Sequence, residues 1–177
     1  MISSKLFMVL VVVGACAKNT PATAPPVKDP VPMTTAASGS ATPMASSSMQ
    51  TLLAAYERVR SRLAADDLNG AADAAREIQA ATTAFGESKA TDFTEIANSA
   101  ASLAAAKDIK AARASFGQIS RHVIALLATD KALTKTMHVF ECPMVRGYKK
   151  WVQPTEDLQN PYMGKRMLAC GGESSWN

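Results

Sequence analysis

From Ser48 to Lys131 large apolar residues return every three or four positions, and this spacing constrains the fold more than any other feature of the chain. Leu52, Tyr56, Val59 and Leu63 form one stripe, with Ser48 as its N-cap. Asp66-Asp67 and Asn69-Gly70 mark its end, because Asn and Gly tolerate the backbone conformations that a helix terminus demands. Ala71, Ala75, Ile78, Ala81 and Phe85 form a second stripe, closed by Gly86. Asp92 with Glu95 fits a capping box and opens a third, with Phe93, Ile96, Ala100 and Leu103 on one face. Asp108 caps the fourth and clearest, which carries Ile109, Ala112, Phe116, Ile119, Val123 and Leu126. Four amphipathic helices on short links predict an all-α fold, an up-down four-helix bundle over residues 49–131. Alanine is abundant on these faces. It favours helix but buries little area, so the core rests on Leu, Ile and Phe and gains from anything that packs onto it. His122, beside the fourth stripe, reads as a surface or boundary residue.

The two flanks differ from this pattern in opposite ways. At the start, Lys5 precedes the apolar run Leu6 to Val13, which is too short to span a bilayer as a mature helix. The run ends in Val13-Gly14-Ala15-Cys16. A charged start, an apolar centre and small residues before a cleavage point predict a secretory signal over residues 1–15. The cysteine directly after the small residues resembles a bacterial lipobox. That resemblance implies cleavage before Cys16, lipid (palmitate-type acyl chains) on its sulfur and new N-terminus, and a membrane attachment through that lipid. Lys18, rather than an aspartate, near the new N-terminus resembles the outer-membrane case, with the protein facing the periplasm. Residues 16–48 then read as a tether. Six of the nine prolines fall there, among Ala, Ser and Thr, and the segment has too little apolar surface to offset the entropy of ordering.

After Lys131 the helical period fades. Pro143, Gly147, Pro154, Pro161, Gly164, Gly171 and Gly172 punctuate residues 132–177, which predicts an irregular, loop-rich C-terminal cap. Met137 to Phe140 reads as extended, and Gly164 to Ala169 as a helical turn. A segment this irregular needs a staple to stay ordered.

The staple is suggested by sulfur. Once Cys16 is assigned to the lipid, Cys142 and Cys170 remain as an isolated pair in a compartment where thiols can be oxidised. Met144 lies two after Cys142, and residues i and i+2 of an extended chain point the same way. Met167 lies three before Cys170, and i and i+3 share a face in a helical turn. Each half therefore offers a thiol and a thioether. Brought together, Cys142, Met144, Met167 and Cys170 form a set suited to Cu(I) or Ag(I), and poorly suited to zinc. His138 and Met163 are candidate extra ligands. The alternative is a Cys142–Cys170 disulfide, whose loop closure contributes roughly 3–4 kcal/mol in the chain-entropy model. Both readings stand open. The two can also alternate, since a reduced pair binds metal and an oxidised pair does not.

The order Cys142-Pro143-Met144, then Trp151, then Asn160-Pro161-Tyr162 and Gly164 with Met167, Cys170 and Gly171 resembles the C-terminal signature of the domain-of-unknown-function 3347 family. Tyr56, Leu63 with Asp66-Asp67, the alanine-rich second helix, and Arg113 with Phe116 extend the resemblance upstream, so that it spans roughly Met49 to Gly171. The resemblance implies an exported bacterial helical domain of the kind also attached to the periplasmic adaptor subunits of copper/silver efflux pumps. It implies a copper or silver role, with an efflux component as partner. By this resemblance Pro161 and Gly164 shape a turn, Asn160 caps or braces it, and Trp151 and Tyr162 shield the sulfur atoms. Met163 departs from the pattern, where an aromatic is commoner, and reads as packing.

Other functions find little support. The formal charge of +4 is spread among interleaved acids, with few aromatics, and gives no nucleic-acid footprint. There is no C-x-x-C pair and no phosphate-binding glycine loop. His138 lies four residues before Cys142 but has no third group to orient it, so no enzyme is expected. The expectation is an exported, lipid-anchored protein that holds Cu(I) or Ag(I) for periplasmic metal handling or transfer. The alternative is a disulfide-stapled helical module that binds a protein partner.

Overall fold

A computed structural model describes residues 43–177; the signal segment, Cys16 and residues 16–42 of the expected tether lie outside the described residues. Four α-helices follow in order: α1 (Pro43–Ala64), α2 (Leu68–Thr82), α3 (Ala90–Ala104) and α4 (Ile109–Ala128). α1 begins earlier than the expected cap at Ser48. Pro43 stands at its first position, where proline's fixed φ and missing N–H cost nothing. Each helix packs on the next in sequence, and α1 also touches α4.

The helix ends show which local signals held. Asp108 caps α4 as expected, its carboxylate accepting from Ala111 N–H at 2.8 Å. Between α1 and α2 the turn falls at Asp66, in the left-handed region at φ 57°. Asp67 is the N-cap of α2 and accepts from Gly70 N–H, so Asn69-Gly70 lies inside the helix rather than at its break. α2 stops at Thr82 and a 3-10 segment, Thr83–Lys89, carries the chain through a kink at Gly86. Phe85 of that segment stacks on Phe93 of α3, with centroids 4.0 Å apart. Asp92 is not a cap. It sits in the first turn of α3 and meets His122 of α4, Oδ1 to Nδ1, at 3.0 Å.

The C-terminal part is more ordered than an irregular cap. It holds a three-stranded antiparallel sheet of β1 (His138–Glu141), β2 (Lys150–Gln153) and β3 (Gly172–Glu173), in the order β2-β1-β3. Val139 faces Val152 and Phe140 faces Trp151 in one ladder; Glu141 faces Gly172 in the other. The all-α reading is thus corrected to a mostly helical chain with a small C-terminal sheet. A 3-10 turn, Gly164–Met167, stands where a helical turn was expected.

The sheet shares the helices' core. Val139, Phe140, Cys142, Trp151, Val152 and Tyr162 are buried in the same cluster as Leu52, Tyr56, Leu63, Ile78, Ile96, Phe116 and Leu127. The alanine-rich helices alone would offer a thin core; the aromatic side chains of the C-terminal part thicken it. Rings run in contact from Tyr56 to Phe116 (5.3 Å), Phe116 to Tyr162 (5.6 Å), Tyr162 to Trp151 (5.9 Å) and Trp151 to Phe140 (5.7 Å).

Candidate functional site

The folded chain brings Cys142 and Cys170 together, with their sulfur atoms 3.7 Å apart as free thiols. The sheet register explains this. Glu141 pairs with Gly172, so Cys142 and Cys170 both lie just past the end of the β1–β3 ladder, nearly opposite each other. Gly171 completes the approach. Its φ is +142°, and a Cβ there would stand 2.8 Å from the carbonyl oxygen of Glu141 and 3.1 Å from the Trp151 ring. Only glycine lets the Cys170 chain lie this close to β1.

The two thiols differ in setting. Cys142 is fully buried, and Cys170 is partly exposed. The Cys142 thiol, hydrogen-bonded to it, and then desolvation push the Cys170 thiol above its usual value. Cys170 therefore holds its proton near neutral pH unless something displaces it.

Asn160 braces the Cys170 segment. It is fully buried, its Nδ2 donates to the Cys170 carbonyl at 2.5 Å, and its Oδ1 accepts from Tyr162 N–H at 2.8 Å and Met163 N–H at 3.1 Å. One side chain thus ties the 160–163 turn to the backbone of the thiol. Trp151, fully buried beside Gly171, donates its indole N–H to Gln153 Oε1 at 3.0 Å. Gln153 is buried too, and its amide nitrogen donates to the carbonyls of Thr155 and Asp157. Tyr162 donates its hydroxyl to the Lys150 carbonyl at 2.8 Å.

Charged anchors join this region to the helices. Arg113 of α4 donates to the Pro161 carbonyl (2.8 Å), the Leu63 carbonyl (3.0 Å) and Asp66 Oδ1 (2.6 Å). Asp66 also accepts from Lys165 N–H, and the Arg113 guanidinium holds its carboxyl below the usual range. Gly164, at φ +64°, passes so close that a Cβ would strike Asp66 and Arg113. Arg60 of α1 adds a bond to the Gln159 carbonyl at 2.8 Å.

The remaining sulfur atoms and His138 are placed less closely. The chain does not stay extended past β1: Val145 N–H bonds the Cys142 carbonyl, so Cys142 to Val145 is a turn, and Met144 is 61 % exposed while Cys142 is buried. The expected common direction of Cys142 and Met144 is therefore lost. Met167 precedes Cys170 by one turn, joined by a Cys170 N–H bond to the Met167 carbonyl, and is half-buried. Met163 packs against the core. His138 begins β1, roughly 13 Å of strand from Cys142, and lies 3.8 Å from Glu173. Among the described residues no three His, Cys, Asp or Glu side chains gather as an ion cage. Sequence reasoning missed Gln153, Arg60 and the Asp66–Arg113 link. Nothing in the alternation around Gln153 signals its burial, and Asp66 was legible as a helix break and, like Arg113, as a position of the family resemblance, but not as Arg113's partner.

A family model described as "Protein of unknown function (DUF3347)" matches residues 52–135. No curated protein and no solved structure shows a match to the chain. The matched range runs from within α1 through α4 and stops before Cys142, so it is narrower than the expected span to Gly171, and it rests on the helices rather than on the C-terminal motif. Residues 52–135 of this chain belong to the DUF3347 family.

Proposed function

We propose that this protein binds one Cu(I) or Ag(I) ion through Cys142 and Cys170, with Met144 and Met167 as thioether ligands, and buffers the ion or passes it to an efflux partner. The observation that carries the reading is the 3.7 Å separation of the two thiols. Two sulfur atoms each about 2.3 Å from one ion at a near-tetrahedral angle would stand roughly 3.8 Å apart. A soft donor set of this kind selects Cu(I) over harder ions. Binding replaces the thiol protons, so it releases protons and strengthens as pH rises. Met144, on an exposed turn with a flexible side chain, is free to swing towards an ion at the pair. Trp151 and Tyr162 supply the apolar shell that keeps such an ion dry.

The same reading makes the protein an exported lipoprotein, attached through Cys16 to the outer membrane and facing the periplasm, with residues 49–131 arranged as an up-down bundle and the sulfur site in the segment that follows it. It is not an enzyme in this reading. The test uses the full chain with Cys16→Ser, so that only two thiols remain. Titrated with Cu(I) against a competing chelator, the reduced protein should take up about one ion, and Cys142→Ser should abolish uptake. No uptake by the reduced protein would end the metal reading.

The same short separation favours a second reading, in which the pair closes as a disulfide and the domain serves as a protein-binding module. Thiol counting on protein isolated from the envelope separates the two. A bridge closed in every molecule, with Met144→Ala plus Met167→Ala leaving metal tolerance unchanged, would favour the module.

A further inference from the structure

We propose that the thiol pair reacts with low-molecular-weight disulfides in a fixed order: Cys170 attacks first, and Cys142 resolves. The inference rests on the sulfur site proposed above as a pair of neighbouring thiols, and not on the ion that fills it. Three observations carry it. Cys142 is fully buried, so an incoming disulfide has no path to its sulfur, whereas Cys170 is partly exposed. The side next to Cys170 is open: Gly171 and Gly172 are exposed, and nothing lies within 4 Å of where a Cβ on Gly172 would sit. The Cys142 sulfur already waits 3.7 Å from the sulfur on which a mixed disulfide would form.

The chemistry balances in two exchanges. Cys170 loses its proton to solvent and attacks one sulfur of the incoming disulfide. That bond breaks, and one thiolate leaves with the electron pair. Cys142 then loses its proton and attacks the Cys170 sulfur, and the second thiolate leaves. The two protein thiols are oxidised by two electrons, and the incoming disulfide is reduced by the same two. Exchange rates depend on access and on which sulfur is attacked, and burial makes Cys142 a poor first nucleophile but a well-placed second one. The order also gives the metal site a gate, because closing the pair removes both thiolates that would hold an ion.

The test uses the reduced full chain with Cys16→Ser and the aromatic disulfide 5,5′-dithiobis(2-nitrobenzoate), whose released thiolate is coloured. The parent should release two thiolates per molecule and keep no adduct. Cys142→Ser should release one and retain a stable adduct on Cys170. Cys170→Ser should react at least ~10-fold more slowly. Because a buried cysteine substitution can unfold the protein, the parent is also treated with substoichiometric iodoacetamide and its labelled peptides are mapped. Cys170 should carry at least ~10-fold more label than Cys142. Equal labelling, or preferential labelling of Cys142, overturns the proposed order. So does a parent that retains two adducts, since it would lack resolution. Cu(I) uptake is measured separately, so a protein that binds no copper but labels at Cys170 first loses the metal reading and keeps this one.

Discussion

Gly171 is the residue on which the thiol geometry turns. Its φ of +142° strains any other residue, and its missing Cβ leaves room for the Glu141 carbonyl and the Trp151 ring. Gly171→Ala should therefore destabilise the fold by about 1–3 kcal/mol, measured by chemical denaturation. The strain is relieved by moving the Cys170 chain away from β1, so the variant's thiol pair should also close more slowly under a mild oxidant. An unchanged midpoint together with an unchanged closure rate would show that Gly171 does not set the approach. At this scale the sequence was partly legible. The isolation of Cys142 and Cys170 after Cys16 already pointed to a pair. The position of Met144 was not legible, because the alternation rule applies only while the strand lasts, and β1 stops at Glu141 where Pro143 enters a turn.

Among the elements, the link between Asp66 and Arg113 joins the α1–α2 turn, α4 and the Pro161–Lys165 segment. The Arg113 hydrogen bond is the main cause of the lowered Asp66 carboxyl, opposed by desolvation and helped by the Lys165 backbone N–H. A carboxyl whose folded value lies below its unfolded one contributes stability that is fully present above the unfolded value and is lost as pH falls through the folded value. The contribution should therefore persist from neutral pH down to about the usual 3.8 and fade below it. Asp66→Asn suits the left-handed backbone at this position and removes the charge. Denaturation midpoints of parent and variant should differ at pH 6 and converge as pH drops below 3.8; a difference that stays constant through acid would exclude this carboxylate as the cause.

The helices were legible because fifteen or more residues repeat a 3.6-residue period, which survives a few mistaken caps. The sheet was not. Its strands are four, four and two residues long, and Val139-Phe140 and Trp151-Val152 are buried as consecutive pairs. Both faces of so short a ladder are covered, so no alternation of apolar and polar residues remains to be read.

In the molecule as a whole, one hydroxyl sits where the helices meet the sheet. Tyr56 of α1 shares a 2.5 Å hydrogen bond with Ser120 of α4 and accepts from Val152 N–H of β2 at 3.2 Å. Burial pushes its pKa upward, so the group stays neutral and its ring continues the aromatic path to Trp151. A thiol-bearing cap that shared only surface contacts with the helices could melt alone. A cap that shares Tyr56, Phe116 and Trp151 as one core should melt with them. Far-ultraviolet circular dichroism follows the helices, and near-ultraviolet dichroism follows the packed rings. The two transitions should coincide in the parent. Tyr56→Phe leaves Ser120 and Val152 N–H short of a partner in a dry setting, which should cost about 1–3 kcal/mol. Because the hydroxyl belongs to both parts, the loss should appear equally on both probes. A near-ultraviolet transition that shifts while the far-ultraviolet one stays would mean that the sheet and its thiols form a unit separable from the helices. An ion bound at Cys142 and Cys170 would then stabilise that unit alone, instead of the whole domain by mass action.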